Sequence, residues 1–522
     1  MNENKKSSLW TVIGASSVGT MIEWYDFYIF GSLATIISTK FFPSDNPTAA
    51  FLSTLATFAA GFVVRPFGAL FFGRLGDLIG RKYTFMVTLV LMGGATFLIG
   101  CIPSYETIGF LAPTLVLILR LLQGLALGGE YGGAATYVAE HAGPGQRGYW
   151  TSWIQTTATI GLFVSLMVIM ATKSAMSKEA FEDWGWRVPF WVSILMILVS
   201  YLIRKNMSES PEFAKVKAEG KTSKNPLKES FGNKLNFKFV LLALFGIVMG
   251  QGVVWYTGQF YAMSFIEKVM GLSDQVGDIM MYAILMATPF FVFFGWISDK
   301  IGRKWLMLAG ILIAVVAYRP IYRAMYETTS IKNKTEIEAK TVVLAETKEN
   351  KAKALDSVYT TTKEFTDGAT WKEVKTVTLE NGVAKIGDDG KPKVEVKKTM
   401  VVNESDKWTL VWLVFIQIFL VTVVYGPTAA FLVELFPAKI RYTSMSLPYH
   451  IGNGIFGGLL PAVATSLVAA ATKANDAAAE AGQAVAVAEP YLQGLWYPII
   501  IGGICFVIGA IYVDGKSTSH KE

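Results

Sequence analysis

Glu23 and Asp26 stand in an otherwise apolar run, within Glu23-Trp24-Tyr25-Asp26-Phe27-Tyr28, and a spacing of three puts both on one helix face. A carboxylate within hydrocarbon is costly unless paired or hydrated, so one found there is a functional hypothesis by default. Arg65 and Arg120 are the candidate partners, and a third carboxylate, Glu130, lies about a quarter-turn from Arg120 around what reads as the same helix. A carboxylate near an arginine can exchange its proton as water access changes. That is the chemistry of a proton-coupled carrier. Asp26, with Glu23 and Glu130, is expected to carry the proton. Arg120, with Arg65, is expected to hold a substrate carboxylate, because the guanidinium fork matches that group bidentately. For each of these five residues the plainer reading is a snorkelling or buried salt-bridge side chain.

A second constellation occurs twice. Gly73 to Lys82 reads GRLGDLIGRK, and Gly295 to Lys304 reads GWISDKIGRK. The glycines Gly73 and Gly80 allow a tight turn and close helix approach. Asp77 can cap the following helix or pair with Arg81, and Asp299 and Arg303 hold the matching places. Glu140 with Arg147, and Glu434 with Arg441, form a repeated pair with the same spacing. Charges of both signs at several helix ends on one membrane face can latch one conformation and release in another. Topology signals and solubility are the plainer reading, and two matched copies weigh against it.

The elements that must position these groups are membrane helices. Of 522 residues 52% are hydrophobic and only 17% charged, and the apolar mass lies in runs of roughly 20 residues, long enough to span ~30 Å of hydrocarbon. Twelve spans are expected, near 9–35, 49–72, 82–102, 110–139, 149–172, 187–205, 238–267, 274–298, 304–321, 408–434, 443–470 and 494–514. The first carries Glu23 and Asp26 and lacks a convincing cleavage site, so it reads as a helix and not a signal peptide. Internal repetition implies two similar halves, 1–205 and 238–514, joined by a loop at 206–237 and followed by a tail at 515–522. Lysines and arginines crowd the interval from Arg204 to Lys238, whereas the intervals 103–109 and 268–273 hold Lys268 alone. The positive-inside rule then places both termini and the GRK segments in the cytoplasm.

The interval from Asp299 to Glu434 is more than twice that from Asp77 to Glu140, so the second half carries an insertion, placed outside at 323–407. Its Val/Thr/Lys alternation around Asn381-Gly382 predicts a β-rich or partly disordered unit with a hairpin turn there. An Ala-rich outer loop is expected at 471–493. In the fourth span Gly124, Gly128 and Gly132 recur every four residues, a stripe that packs helices backbone to backbone. Cys101 and Cys505 lie in apolar runs and read as packing residues.

The GRK pattern resembles the signature between the second and third, and between the eighth and ninth, helices of the major facilitator superfamily. EWYDFY at 23–28, RPFG at 65–68, RLLQG at 120–124, GGEYGG at 128–133, WRVPF at 186–190, ESPEF at 209–213 and ELFPAKIRY at 434–442 narrow this. Together they resemble the metabolite:proton symporter family, over both helical halves but not the two insertions. The resemblance implies an all-α membrane protein with twelve helices in two pseudo-symmetric six-helix bundles around a central cavity. It implies gating roles for the doubled constellation and adds Gln123 and Tyr25 to the substrate-binding set. Members of that family take α-ketoglutarate, citrate, shikimate, or proline and betaine, and spacing here does not choose among them.

In the second half Gln251, Trp255, Tyr256, Gln259, Gln417, Tyr425, Tyr449, His450 and Asn453 offer polar and aromatic groups for a cavity. Tyr256, Gln259 and Asn453 are favoured, with core packing or an aromatic belt as the alternative for each. The expected function is proton symport of a small hydrophilic metabolite across a bacterial cytoplasmic membrane, by alternating access. Two intramembrane arginines favour an organic acid. An uncoupled facilitator or exporter of the same fold, or a sensor using the external insertion, are the alternatives. No Walker loop, triad or metal-ligand spacing is present, so neither an enzyme nor a cofactor is expected, and the proton is the coupling ion. The expected partners are substrate, protons and lipid, without nucleic acid, and the expected working form is a monomer.

Overall fold

The computed structural model describes residues 9–42, 53–54, 56–57, 60–205, 207–349, 355–380, 383–386 and 394–514. In hydrocarbon the backbone can satisfy its polar groups only internally, so apolar runs of this length become helices. Among the described residues ten helices are long and apolar enough to cross a membrane. With two more they are α1 (Leu9–Ser32), α2 (Arg65–Ile79), α3 (Arg81–Cys101), α4 (Leu111–His141), α5 (Arg147–Ser174) and α6 (Gly185–Lys205) in the first half. The second half holds α7 (Lys234–Val269), α8 (Val276–Ile301), α9 (Arg303–Thr329), α10 (Glu404–Leu435), α11 (Arg441–Glu480) and α12 (Pro490–Tyr512). The segment between the halves contains a short helix, Pro211–Ala218, whose N-terminus is capped by the Ser210 hydroxyl.

Three boundaries differ from expectation. The GRK segments are helical almost throughout: α2 runs to Ile79 and α8 to Ile301, and each breaks only at one residue, Gly80 (φ 131°) and Gly302 (φ 90°). A side chain at either position would be strained, which is why one glycine suffices to turn the chain. Second, α9 continues past its apolar stretch to Thr329, its end held by Arg319 and Arg323 on Glu489 at 3.1 and 2.7 Å. Third, α11 extends to Glu480, because the Ala-rich stretch expected as loop has the highest helix propensity available.

The glycine stripe of α4 packs as expected, but against two different partners. Gly124 and Gly128 lie on the α2 backbone around Gly61, Arg65 and Ala69. Gly132 and Gly133 lie against Tyr442 of α11, in the other half. Elsewhere α7 widens into π-type turns at Leu244–Val248, Thr257–Tyr261 and Phe265–Val269, and α11 does so at Gly452–Gly457. Such turns redirect side chains and concentrate at functional sites. Two of them contain Gln259 and Asn453.

Between α9 and α10 lies a five-stranded antiparallel sheet: β1 (Val342–Glu349), β2 (Leu355–Glu364), β3 (Thr370–Glu380), β4 (Val383–Ala384) and β5 (Val394–Val401). Strand β2 covers one edge of β3, and β5 and β4 share the other. Asn381 and Gly382, the expected turn, lie outside the described residues, flanked by the pair Glu380↔Val383. Among the described residues its hydrogen bonds and ion pairs beyond the unit go to the second half. Met400 N donates to Gly271 O at 2.8 Å, Gln275 exchanges two 2.9 Å hydrogen bonds with Val402, and Lys334 bridges Asp367 and Asp406.

Candidate functional site: a buried relay above a two-sided latch

Asp26 is 3% exposed on α1. Its Oδ2 accepts from Thr96 of α3 at 2.7 Å, and its Oδ1 has no hydrogen-bond partner. Thr96 Oγ1 in turn accepts from Gln123 Nε2 at 2.5 Å, and Gln123 Oε1 accepts from Arg120 Nη1 at 2.7 Å. Arg120 lies over the Phe30 ring, 4.3 Å from its centroid. Asp26 and Arg120 are therefore connected through two side chains and do not form a direct ion pair. The hydroxyl at the centre has a second acceptor, Met92 O at 3.1 Å, to which it can turn when Asp26 no longer needs it.

Arg65 is half-buried over Phe62 (4.2 Å), with its Nε unpartnered. It lies within electrostatic reach of Glu23, Arg120, Tyr256 and His450, so two cations share one region between the halves. Glu23 makes no ion pair among the described residues and lies within reach of this same group. Aromatic contacts join the halves here: Trp24 with Trp255 at 5.3 Å, and Phe27 with Phe260 at 5.6 Å. Nearer the GRK segments, Tyr131 of α4 stacks on Tyr449 of α11 at 3.7 Å, and Tyr425 and Tyr449 share a 2.6 Å hydroxyl contact.

Several expected residues fall elsewhere. Tyr25 is fully buried and donates to Pro189 O at 2.6 Å, so it ties α1 to α6. Glu130 is buried in an ion pair with Arg204 of α6 at 2.7 Å and accepts from Thr88 at 2.7 Å, apart from the relay. Asn453 pairs with Gln251 through both amides, at 2.9 and 3.2 Å, linking α11 to α7. Tyr256 and Gln259 are buried in α7, where Tyr256 packs on Phe260.

The doubled constellation joins the two halves with a geometry that spacing did not disclose. Asp77 pairs with Arg81 at 3.1 Å and Asp299 with Arg303 at 2.9 Å, one of the two expected roles, but among the described residues Asp77 caps no helix of its own half. Its carboxylate accepts from Tyr442 N (3.4 Å) and Thr443 N (2.8 Å), at the N-terminus of α11. Asp299 does the same across the pseudo-symmetric interface, accepting from Gly148 N and Tyr149 N of α5, both at 2.8 Å. Each thus places a negative charge on the positive end of a helix in the opposite half. Close approach makes this contact available: a Cβ at Gly73 would lie 2.9 Å from Thr443 Cα, and one at Gly295 would strike Ser152 and Gly148.

The expected pairs Glu140/Arg147 and Glu434/Arg441 give way to other partners. Arg441 reaches Glu140 at 2.9 Å in the other half, Arg81 reaches Glu140 at 3.3 Å, and Arg303 holds Glu434 through two 2.6 Å hydrogen bonds. Arg147 pairs with Glu212, which also takes Arg441, both at 2.5 Å. Arg81 adds a 2.7 Å bond to Ala438 O across the interface. Glu209 accepts from the backbone of Arg81 and Lys82, capping α3 as Asp77 was expected to, and Ser210 donates to Glu140. Glu209, Ser210 and Glu212 were missed as latch residues; their only signal was the ESPEF motif in the connecting segment.

The family model described as "Sugar (and other) transporter" matches residues 11–232 and 203–345. Alpha-ketoglutarate permease of Escherichia coli is 34% identical over 63% of this chain and 74% of its own length. The chain belongs to this transporter family. The inner membrane metabolite transport protein YhjE of Escherichia coli is 37% identical over 59% of the chain and 72% of that protein. The citrate-proton symporter of Klebsiella pneumoniae is 29% identical over 86% of the chain and 83% of that protein. The match to the proline/betaine transporter of Escherichia coli spans 63% of that protein's length. The proton:xylose symporter XylE, bound to 6-bromo-6-deoxy-D-glucose, superposes with a TM-score of 0.65 at 14% identity, covering 98% of both chains. That likeness shows the major facilitator fold. The resemblance read from the motifs therefore holds, and the protein is a multi-pass membrane transporter and not an enzyme. Within the transporter, the chain from Arg120 to Asp26 lies between α1, α3 and α4, and the charged contacts of the GRK segments join the two halves.

Proposed function

We propose that this transporter couples uptake of a small organic acid to proton entry across the bacterial inner membrane, as a monomer with both termini cytoplasmic. The observation that carries the reading is the buried chain Arg120–Gln123–Thr96–Asp26, ending in an unpartnered carboxylate oxygen. In the outward state Asp26 takes a proton on Oδ1. Its demand on Thr96 then falls, the hydroxyl turns to Met92 O, and Gln123 is freed to reset Arg120. Arg120 and Arg65 together accept the substrate's carboxylate, and its arrival lets the halves rock and the latch open. Glu23, within reach of Arg65, serves as a second proton carrier or as the counter-charge of the empty site. Di- and tricarboxylates fit two cations better than a zwitterion does, and the names of the alpha-ketoglutarate and citrate-proton relatives agree with an organic acid.

The test is proton movement into proteoliposomes loaded with a pH-sensitive dye and challenged with di- and tricarboxylates, shikimate-like acids, proline and betaine. The reading expects influx with an organic acid that vanishes in Arg120→Ala. Substrate uptake without proton entry, undiminished in Asp26→Asn, overturns coupling and leaves an uncoupled facilitator.

A further inference from the structure

Where the sheet meets the second half, on the membrane face opposite the GRK segments, a cleft of about 420 Å³ opens between the ends of α7 and α9 and strand β5. Its floor is apolar and aromatic: Met270 and Met400 are buried there, with Trp371 of β3 and Tyr326 of α9. Three lysines, Lys268, Lys332 and Lys398, line it, and among the described residues no carboxylate does. The surrounding unit is nearly balanced in charge, and four of its other lysines are paired, whereas Lys372 and Lys397 have no ion pair among the described residues. Lys334 sits on Asp367 and Asp406, Lys340 on Glu364, Lys363 on Glu336 and Lys375 on Glu373. Lys268 and Lys332 have no ion pair among the described residues, and Lys398 has only a 3.7 Å contact with Glu373, which Lys375 holds more closely at 3.0 Å.

Like charges gathered around a concave, partly apolar surface raise its potential and concentrate anions. The walls are fixed by the hydrogen bond from Met400 N to Gly271 O and by the stack of Tyr326 on Tyr491 at 4.0 Å, so the amines are carried on a preformed frame. The volume falls within the range of small-molecule sites, roughly 300–1,000 Å³. We propose that this cleft binds a small molecule bearing two or more carboxylate or phosphate groups, at a site separate from the central cavity. Ligand there would bridge the sheet to α7 and α9.

Isothermal titration of the full chain carrying Arg65→Ala/Arg120→Ala, in neutral detergent, with citrate and separately with inorganic pyrophosphate, tests this. The double substitution removes both central anchors of the proposed substrate site, so remaining heat reports the cleft, and success or failure here is independent of proton coupling. The expected result is saturable one-to-one binding that falls with added salt. It weakens about tenfold or more in Lys268→Gln/Lys332→Gln, whose melting temperature is unchanged because neither lysine has an ion-pair partner among the described residues. If cardiolipin, which carries two phosphates, displaces citrate when added to the micelles, the natural source of the anion is a lipid headgroup; if it does not, the source is a soluble anion. Equal affinity with and without the two lysines, or no binding of either anion, overturns the proposal.

Discussion

Thr96 serves two neighbours with one hydroxyl, accepting from Gln123 and donating to Asp26. Thr96→Val keeps the shape and removes both bonds. Its expected effect is loss of proton-driven uptake by about tenfold or more, with substrate exchange reduced much less, measured side by side in proteoliposomes. Glu130 behaves differently because its partner is buried with it. Glu130→Ala leaves Arg204 buried without its carboxylate, a loss on the order of 3–5 kcal/mol, expected as a large fall in melting temperature with intact coupling in the protein that survives. A proton-coupling role for Glu130 would give the reverse. Sequence singled out Asp26 and Arg120 as candidates because charge in an apolar run is rare. It could not separate Glu130 from them, because Arg204 lies at the far end of another helix. Nor could it show Tyr25 turned toward Pro189, since that depends on how α1 faces α6.

At the scale of elements, the apolar runs are readable because length and composition suffice to specify a spanning helix. Their ends are less so. A polar GRK segment resembles a loop, yet it stays helical until one glycine with positive φ, and an Ala-rich stretch keeps α11 going well past its apolar core. The insertion was legible as β-rich from its alternation, but its docking was not, because one backbone bond at Gly271 and the Gln275–Val402 exchange do most of it. All of these anchors lie on α7 to α10, so the sheet moves with the second half. Replacing residues 330–402 with a short Gly/Ser linker should therefore leave transport within about twofold of the intact chain while lowering thermal stability. Loss of transport in a deletion that still folds would make the sheet part of the cycle.

For the whole molecule, the proposed cycle requires the contacts between the GRK segments and the opposite half to break and re-form. Asp77 and Asp299 each hold two backbone N–H groups of the opposite half, and hydrogen bonds to a charged group contribute about 1.5–3 kcal/mol. Asp77→Asn should shift the equilibrium about ten- to a hundredfold toward the open latch. The readout is the labelling rate of Ser446→Cys, a position buried against Gly132 while the latch is closed. Asp299→Asn should match it in direction, as the pseudo-symmetry requires, and opposite effects would contradict the shared geometry. The repeated motif announced the latch, but its cross-half capping is a property of two assembled halves that no single stretch encodes.

The central claim is that Asp26 carries the coupling proton while Arg120 carries the substrate, through a relay that joins but does not fuse them. The direct measurement compares, in Asp26→Asn proteoliposomes and with the acid identified by the dye panel, uptake driven by an inward proton gradient against exchange at equal pH. The account predicts that gradient-driven uptake is abolished and that exchange survives in part. Equal loss of both would make Asp26 a binding or structural residue and contradict it.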